Sequence, residues 1–191
     1  IDSHDIEDIK NPTPEANEIL IDVEAIGLNF PDTLMLQGKY QTRPERPFVP
    51  GRDAAGVVIG LGEGVTGFEV GDRVVAQVRW GAYAEKLAAP TDRCFRIPKN
   101  MPFVDAAALG TVYPTAHVSL MIRGHYKEGE TVLVNGAGGG IGLASVQIAK
   151  AKGATVIAGD ISEDKRQLAL DHGADHVIDL SVEDLRENLR S

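Results

Sequence analysis

The sequence predicts an α/β protein in two parts: a β-rich domain over residues 1–103, then an incomplete parallel-sheet domain over residues 104–191. Three observations predict this. Ala54–Leu61, Arg73–Val78 and Tyr83–Ala88 are short strand-like runs joined by Gly62-Glu63-Gly64 and Gly71-Asp72, with no long helix among them. Thr131–Asn135 is an apolar run that passes through a cluster of small residues into a helical pattern. Beyond Asp105 helical and strand-like runs alternate, ending at the strand His176–Asp179. Three parallel strands make half of a doubly wound sheet, and the opening has no initiator Met, so the chain is expected to be a fragment.

Taken in order, residues 1–18 carry Pro12 and Pro14 among acids and read as an extended lead-in. From Glu18 to Ala25 the chain alternates, with Ile19, Ile21 and Val23 on one face and Leu20, Asp22 and Glu24 on the other, as in a half-buried strand. Gly27 to Asp32 turns the chain, with Asp32 expected to cap a short helix through Leu36 that Gly38 ends. Three prolines between Arg43 and Pro50 make a rigid loop. The β-rich part follows, and Pro98 and Pro102 mark its exit. Asp105–Leu109, Thr115–Arg123 and Glu163–His172 are expected helices, and Val182, Leu185 and Leu189 give a last amphipathic face.

The stretch Thr131-Val132-Leu133-Val134-Asn135-Gly136-Ala137-Gly138-Gly139-Gly140-Ile141-Gly142 carries the first chemical signal. Val132, Leu133 and Val134 suit a parallel strand covered on both faces, and Ala144, Ile148 and Ala151 recur at helical spacing. Glycines between them let a ligand approach the backbone, and the helix start offers unpaired N–H groups that suit a pyrophosphate. A second apolar run, Thr155–Ala158, ends at Gly159-Asp160, near the separation of roughly 20 residues at which a dinucleotide fold places a ribose-binding carboxylate. A purely structural strand–turn–helix junction is the alternative.

Composition narrows the classes. Of 191 residues, 43% are hydrophobic and 25% charged, ordinary for a globular core, while a net charge of −9 disfavours nucleic acid and anionic membrane as partners. No apolar run is long enough to span a bilayer. The single cysteine, Cys94, fits a reducing cytosol, and a cytoplasmic location is expected.

Several motifs agree on one family. Ala25-Ile26-Gly27-Leu28-Asn29-Phe30-Pro31-Asp32, Pro50-Gly51-Arg52-Asp53-Ala54-Ala55-Gly56, the run Gly62 to Val74, Gly81-Ala82-Tyr83-Ala84-Glu85 and the glycine turn together resemble the zinc-free, quinone-oxidoreductase branch of the medium-chain dehydrogenases/reductases. The resemblance covers nearly every residue from Glu18 onward. It implies a chaperonin-10-like β-rich catalytic domain followed by a Rossmann domain, with the active site in the cleft between them. It also implies a homodimer for the full-length protein and NAD(P)H-dependent, zinc-independent reduction of quinones or similar conjugated carbonyls by hydride transfer. Reduction of an enone or enoyl-thioester double bond is the alternative within the family. A crystallin-like, non-catalytic nucleotide-binding protein is the alternative of another class.

Catalytic zinc needs three protein ligands from Cys, His and Asp/Glu. Asn29 stands where zinc-dependent relatives carry a cysteine, Gly51-Arg52-Asp53 replaces a Gly-His-Glu motif, and the later cysteine position falls near Thr111; no zinc is therefore expected. The five histidines show no ligand spacing.

What the resemblance implies for residues is specific. Asn29 matches the position facing nicotinamide and substrate, where its amide would polarise an acceptor oxygen; a turn-closing role is the alternative. Tyr40 matches a tyrosine of the substrate pocket, or packs beside the proline loop. Leu34 replaces a second pocket tyrosine, implying a more apolar pocket. Asp32 reads as a helix cap, Arg52 and Asp53 as a structural ion pair, and Trp80 as flanking the cleft or filling the core. Thr115 matches a threonine on the nicotinamide side, or caps a helix. Asn135, Gly136, Ala137, Gly139, Gly140, Ile141 and Gly142 would form the cofactor turn, with Ala137 in place of the first fingerprint glycine. Asp160 accepts from ribose hydroxyls and repels a 2′-phosphate, so NADH is favoured over NADPH, while Lys165 and Arg166 pull toward phosphate.

Overall fold

The computed structural model describes residues 6–182 and Leu185. The expected final amphipathic face falls largely outside these residues, as does His4. The chain divides into two compact units, Ile1–Thr111 and Val112–Ser191.

In the first unit the strands β1 (Glu18–Gly27), β2 (Asp53–Leu61), β3 (Arg73–Gln77), β4 (Lys86–Pro90) and β5 (Cys94–Arg96) form an antiparallel sheet in the order β4-β1-β2-β3-β5. The period-2 pattern of β1 explains its place: Ile19 and Ile21 are fully buried against Val58, Val74 and Leu87. Each such side chain contributes about 1.5–3 kcal/mol on burial. The helix α1 (Phe30–Leu36) follows β1, with Asn29 as its N-cap residue and Asp32 in its first turn. Asp32 therefore serves as the acid of the first turn, not the cap; its Oδ2 accepts the Asn29 N–H at 2.9 Å.

Tyr83 does not open a strand as expected. Gly81 has φ +103°, and the N–H groups of Ala82 and Tyr83 donate back to the carbonyls of Gly51 and Pro50, so β4 starts only at Lys86. The short β5 was not anticipated; Cys94 is its first residue, and its buried thiol donates to the Pro90 carbonyl at 3.3 Å. The helix α2 (Phe103–Leu109) lies past the expected boundary near 103 yet belongs to the first unit, where Ala106 and Ala107 pack on Ala55.

The second unit opens with α3 (Val112–His117), which runs into a π-helical stretch, Val118–Arg123, where a single helix from Thr115 was expected. Gly124 N–H reaches the Ser119 carbonyl at 2.8 Å, closing the wider turn. Strands β6 (Thr131–Asn135), β7 (Thr155–Asp160) and β8 (His176–Asp179) form a parallel sheet in that order. The helices α4 (Gly140–Ala151) and α5 (Glu163–Asp171) make the crossovers. Val134, Val146, Val156 and Ala158 build its core. β6 is not covered on both faces as its composition suggests: among the described residues Val134 is buried with Val146 and Val156, whereas Leu133, on the opposite face, is exposed. Among the described residues, no helix is long and apolar enough to cross a membrane.

Candidate functional site

The turn from β6 into α4 is built by close approaches that exclude side chains. Gly136, at φ +72°, donates its N–H to the Gly159 carbonyl at 2.8 Å, and Ala137 donates to the same carbonyl at 3.1 Å. A Cβ on Gly142 would lie 2.8 Å from the Ala137 Cα and closer still to the Gly136 oxygen. A Cβ on Gly138 would stand 2.7 Å from the Lys165 Cγ. Gly139 is the N-cap residue of α4, so the helix begins with N–H groups that have no acceptor within the helix, over a turn whose one side chain, Ala137, is buried.

Asp160 ends β7 and is 5% exposed. Its Oδ2 accepts the Gly138 N–H at 3.0 Å and its Oδ1 the Ile161 N–H at 2.8 Å. Burial pushes its carboxyl up, but the N–H bonds from Gly138, Ile161 and Ser162, with Lys165 nearby, outweigh this and hold it below the usual carboxylate range. Asp160 is thus an anion that ties the strand end to the glycine turn.

Around these groups lies an open cavity of about 290 Å³, lined by Asn135, Gly136, Gly139, Asp160, Ile161, Lys165 and Leu180. Five of the expected cofactor residues meet there: Asn135, Gly136, Gly139, Asp160 and Lys165. Ala137, Gly140, Ile141 and Gly142 shape the turn without lining the cavity. Thr115 stands inside α3 rather than at its start, so it does not open the helix as expected. Ile161 and Leu180 were not anticipated; they supply apolar walls fit for an aromatic base, and the signal was an apolar residue directly after each strand end. A bare turn, helix N–H groups, an ionised acid and apolar walls fit a dinucleotide. Bound, it would rest its pyrophosphate on Gly139 and its ribose on Asp160.

The first unit holds a second polar assembly, behind the Asn29 turn. Asn29 Nδ2 donates to Asp53 Oδ2 at 2.8 Å and leans toward the Gly27 carbonyl at 3.5 Å. Tyr83 OH donates to Asp32 Oδ2 at 2.8 Å, with its ring packed over Gly51, whose φ is +91°. Asp32 and Asp53 are 2% and 1% exposed. Burial raises the Asp53 carboxyl above its ordinary value; bonds from Thr111 and Asn29 lower it, Asp32 raises it and Arg52 lowers it, with burial prevailing. Burial and the bonded, charged Asp32 push the Tyr83 phenol well up, so it stays a proton donor.

Arg52 is engaged by Tyr40 rather than paired with Asp53: its Nη1 donates to the Tyr40 OH at 3.2 Å and the guanidinium lies 5.8 Å from the ring centroid. Asn29 and Tyr40 thus each hang on the Gly51-Arg52-Asp53 segment, through neighbouring residues. Trp80 is 38% exposed and is not part of the core. Among the described residues, no group of three or more His, Cys, Asp or Glu is placed to hold a metal ion.

Comparison with known proteins agrees with both halves. Residues 15–99 match the alcohol dehydrogenase GroES-like domain and residues 140–191 the zinc-binding dehydrogenase model. The chain is 39% identical to rat (Rattus norvegicus) quinone oxidoreductase over 171 residues, covering 89% of this chain and 52% of that protein. It is 36% identical to the human (Homo sapiens) synaptic vesicle membrane protein VAT-1 homolog over 179 residues, covering 94% of this chain and 46% of that one. Among solved structures, Escherichia coli quinone oxidoreductase complexed with NADPH superposes with a TM-score of 0.90 at 37% identity, covering 96% of this chain and 56% of that one. The chain belongs to the medium-chain dehydrogenase/reductase family, in its quinone oxidoreductase branch. It spans about half the length of the curated relatives it matches.

Proposed function

We propose that the whole protein is an NAD(P)H-dependent, zinc-independent oxidoreductase that reduces quinones or similar conjugated carbonyls. The observation that carries this is the cavity at the end of β6 and β7, where a glycine-rich turn and the ionised Asp160 stand together. The structural relative from Escherichia coli is a quinone oxidoreductase complexed with NADPH, which supports the cofactor class. Asp160 supports NADH over NADPH, because a carboxylate accepts from ribose hydroxyls and repels a 2′-phosphate.

A nicotinamide cofactor, when bound, would supply the hydride. The chain's own residues hold and polarise. Nδ2 of Asn29 carries two hydrogens: one is fixed on Asp53, and the other, only weakly engaged at 3.5 Å, is the one offered to an acceptor oxygen. Because Tyr40 OH accepts from Arg52, its own hydrogen is left to donate to an acceptor oxygen. Zinc independence is supported by the donors present: an amide at Asn29 and a guanidinium at Arg52 do not ligate zinc. The zinc-binding dehydrogenase match covers residues 140–191, away from those positions. For the whole protein a homodimer in the cytoplasm is the accompanying proposal, to be tested by sedimentation and fractionation.

The test is oxidation of NADH and NADPH by the full-length protein with benzoquinones, with alkenals and with no acceptor. Rapid quinone reduction that survives exhaustive chelation is the expected result. Preference for alkenals would favour double-bond reduction instead, and tight cofactor binding with no turnover would favour the non-catalytic reading.

A further inference from the structure

Two basic residues stand in the first turn of α5, beside the end of β7, and they are held differently. Lys165 lines the cavity with Asp160. Arg166 is engaged elsewhere: Nη1 donates to the Asp160 main-chain carbonyl at 3.1 Å, and Nη2 meets Asp179 Oδ2 at 2.7 Å, leaving the arginine side chain 15% exposed. Asp179 is the last residue of β8 and is the register partner of Asp160 across the parallel pair. Its Oδ1 is held in turn by the Ser181 N–H at 2.9 Å and the Ser181 hydroxyl. The acceptor of the guanidinium is therefore itself fixed.

An arginine near the strand-end acid is the group that accommodates a 2′-phosphate, because its planar fork gives paired N–H bonds to phosphate oxygens. Here the nearest arginine to that position is tied down by a carboxylate from the next strand. We propose that Asp179 is a specificity-determining residue that acts through Arg166. By engaging the guanidinium it withholds from the ribose 2′ position the cation that a phosphate would recruit, and so adds to the discrimination exerted by Asp160. This rests on the reading of the cavity as a dinucleotide site. Asp160 acts by direct repulsion; Asp179 acts by keeping a partner away. Lys165 remains as the cation of the cavity wall and gives a weaker, single-point contact to either cofactor.

The experiment is equilibrium titration of full-length wild type, Asp179→Asn, Arg166→Gln and the double variant with NADH and with NADPH, followed by nicotinamide fluorescence. Asp179→Asn is expected to move the Kd ratio toward NADPH by about five- to tenfold, with NADH affinity changed less than about twofold. Adding Arg166→Gln should cancel that gain. Arg166→Gln alone should leave the ratio where it was, since the guanidinium is already withheld; this arm stands even where Asp179→Asn folds poorly. An unmoved ratio in Asp179→Asn, an equal loss of both cofactors, or a selective NADPH loss in Arg166→Gln would overturn the inference. Failure of the dinucleotide reading itself looks different: the wild type would then bind neither cofactor.

Discussion

Replacing Gly142 by alanine sets two effects of known size against each other. Gly142 is the third residue of α4, where alanine gains about 1 kcal/mol of helix propensity over glycine. Against this, the new Cβ would stand 2.8 Å from both the Cα and the carbonyl carbon of Ala137, some 0.6 Å short of ordinary contact at 3.4 Å, and closer still to the Gly136 oxygen. All three atoms are backbone and cannot rotate away. The turn cannot retreat freely either, because Gly136 and Ala137 donate to the Gly159 carbonyl and Gly138 donates to Asp160. Overpacking costs roughly 1–3 kcal/mol, and a clash this close with fixed backbone atoms falls at the upper end, so the clash wins and the net loss is about 2 kcal/mol. That should lower Tm by about 4–8 °C in a chain of this size. The shift falls on the helix start and the Gly136 segment, so NADH affinity should drop at least about tenfold. Thermal unfolding and a fluorescence titration read both effects. A variant that melts higher than wild type and binds NADH within twofold would refute the reasoning, because the propensity gain would then have met no obstruction.

Other perturbations test the first unit. Gly51→Ala meets both φ +91° and the Tyr83 ring, whose Cε1 and Cγ would lie 2.5 and 2.7 Å from the new Cβ, so a loss of roughly 2–5 kcal/mol is expected in urea denaturation. Tyr83→Phe removes one of the two donors to Asp32 Oδ2, leaving the Asn29 N–H, while Asp32 Oδ1 has no hydrogen-bond partner among the described residues; unfolding should show a cost of about 1.5–3 kcal/mol. Asp53→Asn tests a pH dependence. Burial raises the folded carboxyl above 3.8, so above that pH the folded state binds more protons than the unfolded state, and this group's contribution falls as pH rises through its folded value. Asparagine has no such proton, so the stability of the variant relative to wild type should climb from about pH 4 upward until the folded carboxyl has ionised, and a flat difference would contradict the buried-acid assignment.

How much of this was legible in the sequence depends on whether the deciding force was local. The alternation in β1 and the glycine junction after β6 are local patterns, and both led to the right elements. The start of β4 was not legible, because Tyr83 is drawn out of the strand by a hydrogen bond to Pro50, more than thirty residues earlier. Asp32 read as a cap from spacing alone, but the cap position falls to Asn29, three residues before. The site divides in the same way. The turn glycines, Asp160 and Lys165 follow from a short motif. The attachment of Asn29 to Asp53, and of Tyr40 to Arg52, joins residues 24 and 12 apart that only the folded sheet brings together. Nothing local signals that Arg166 is tied to Asp179.

The most direct test of the central claim is the ratio of NADH to NADPH dissociation constants in the full-length wild type and in Asp160→Ser. Tighter NADH binding by the wild type, with a shift toward NADPH of about tenfold or more in the variant, is the predicted result. A ratio that does not move would contradict the placement of the ribose at Asp160.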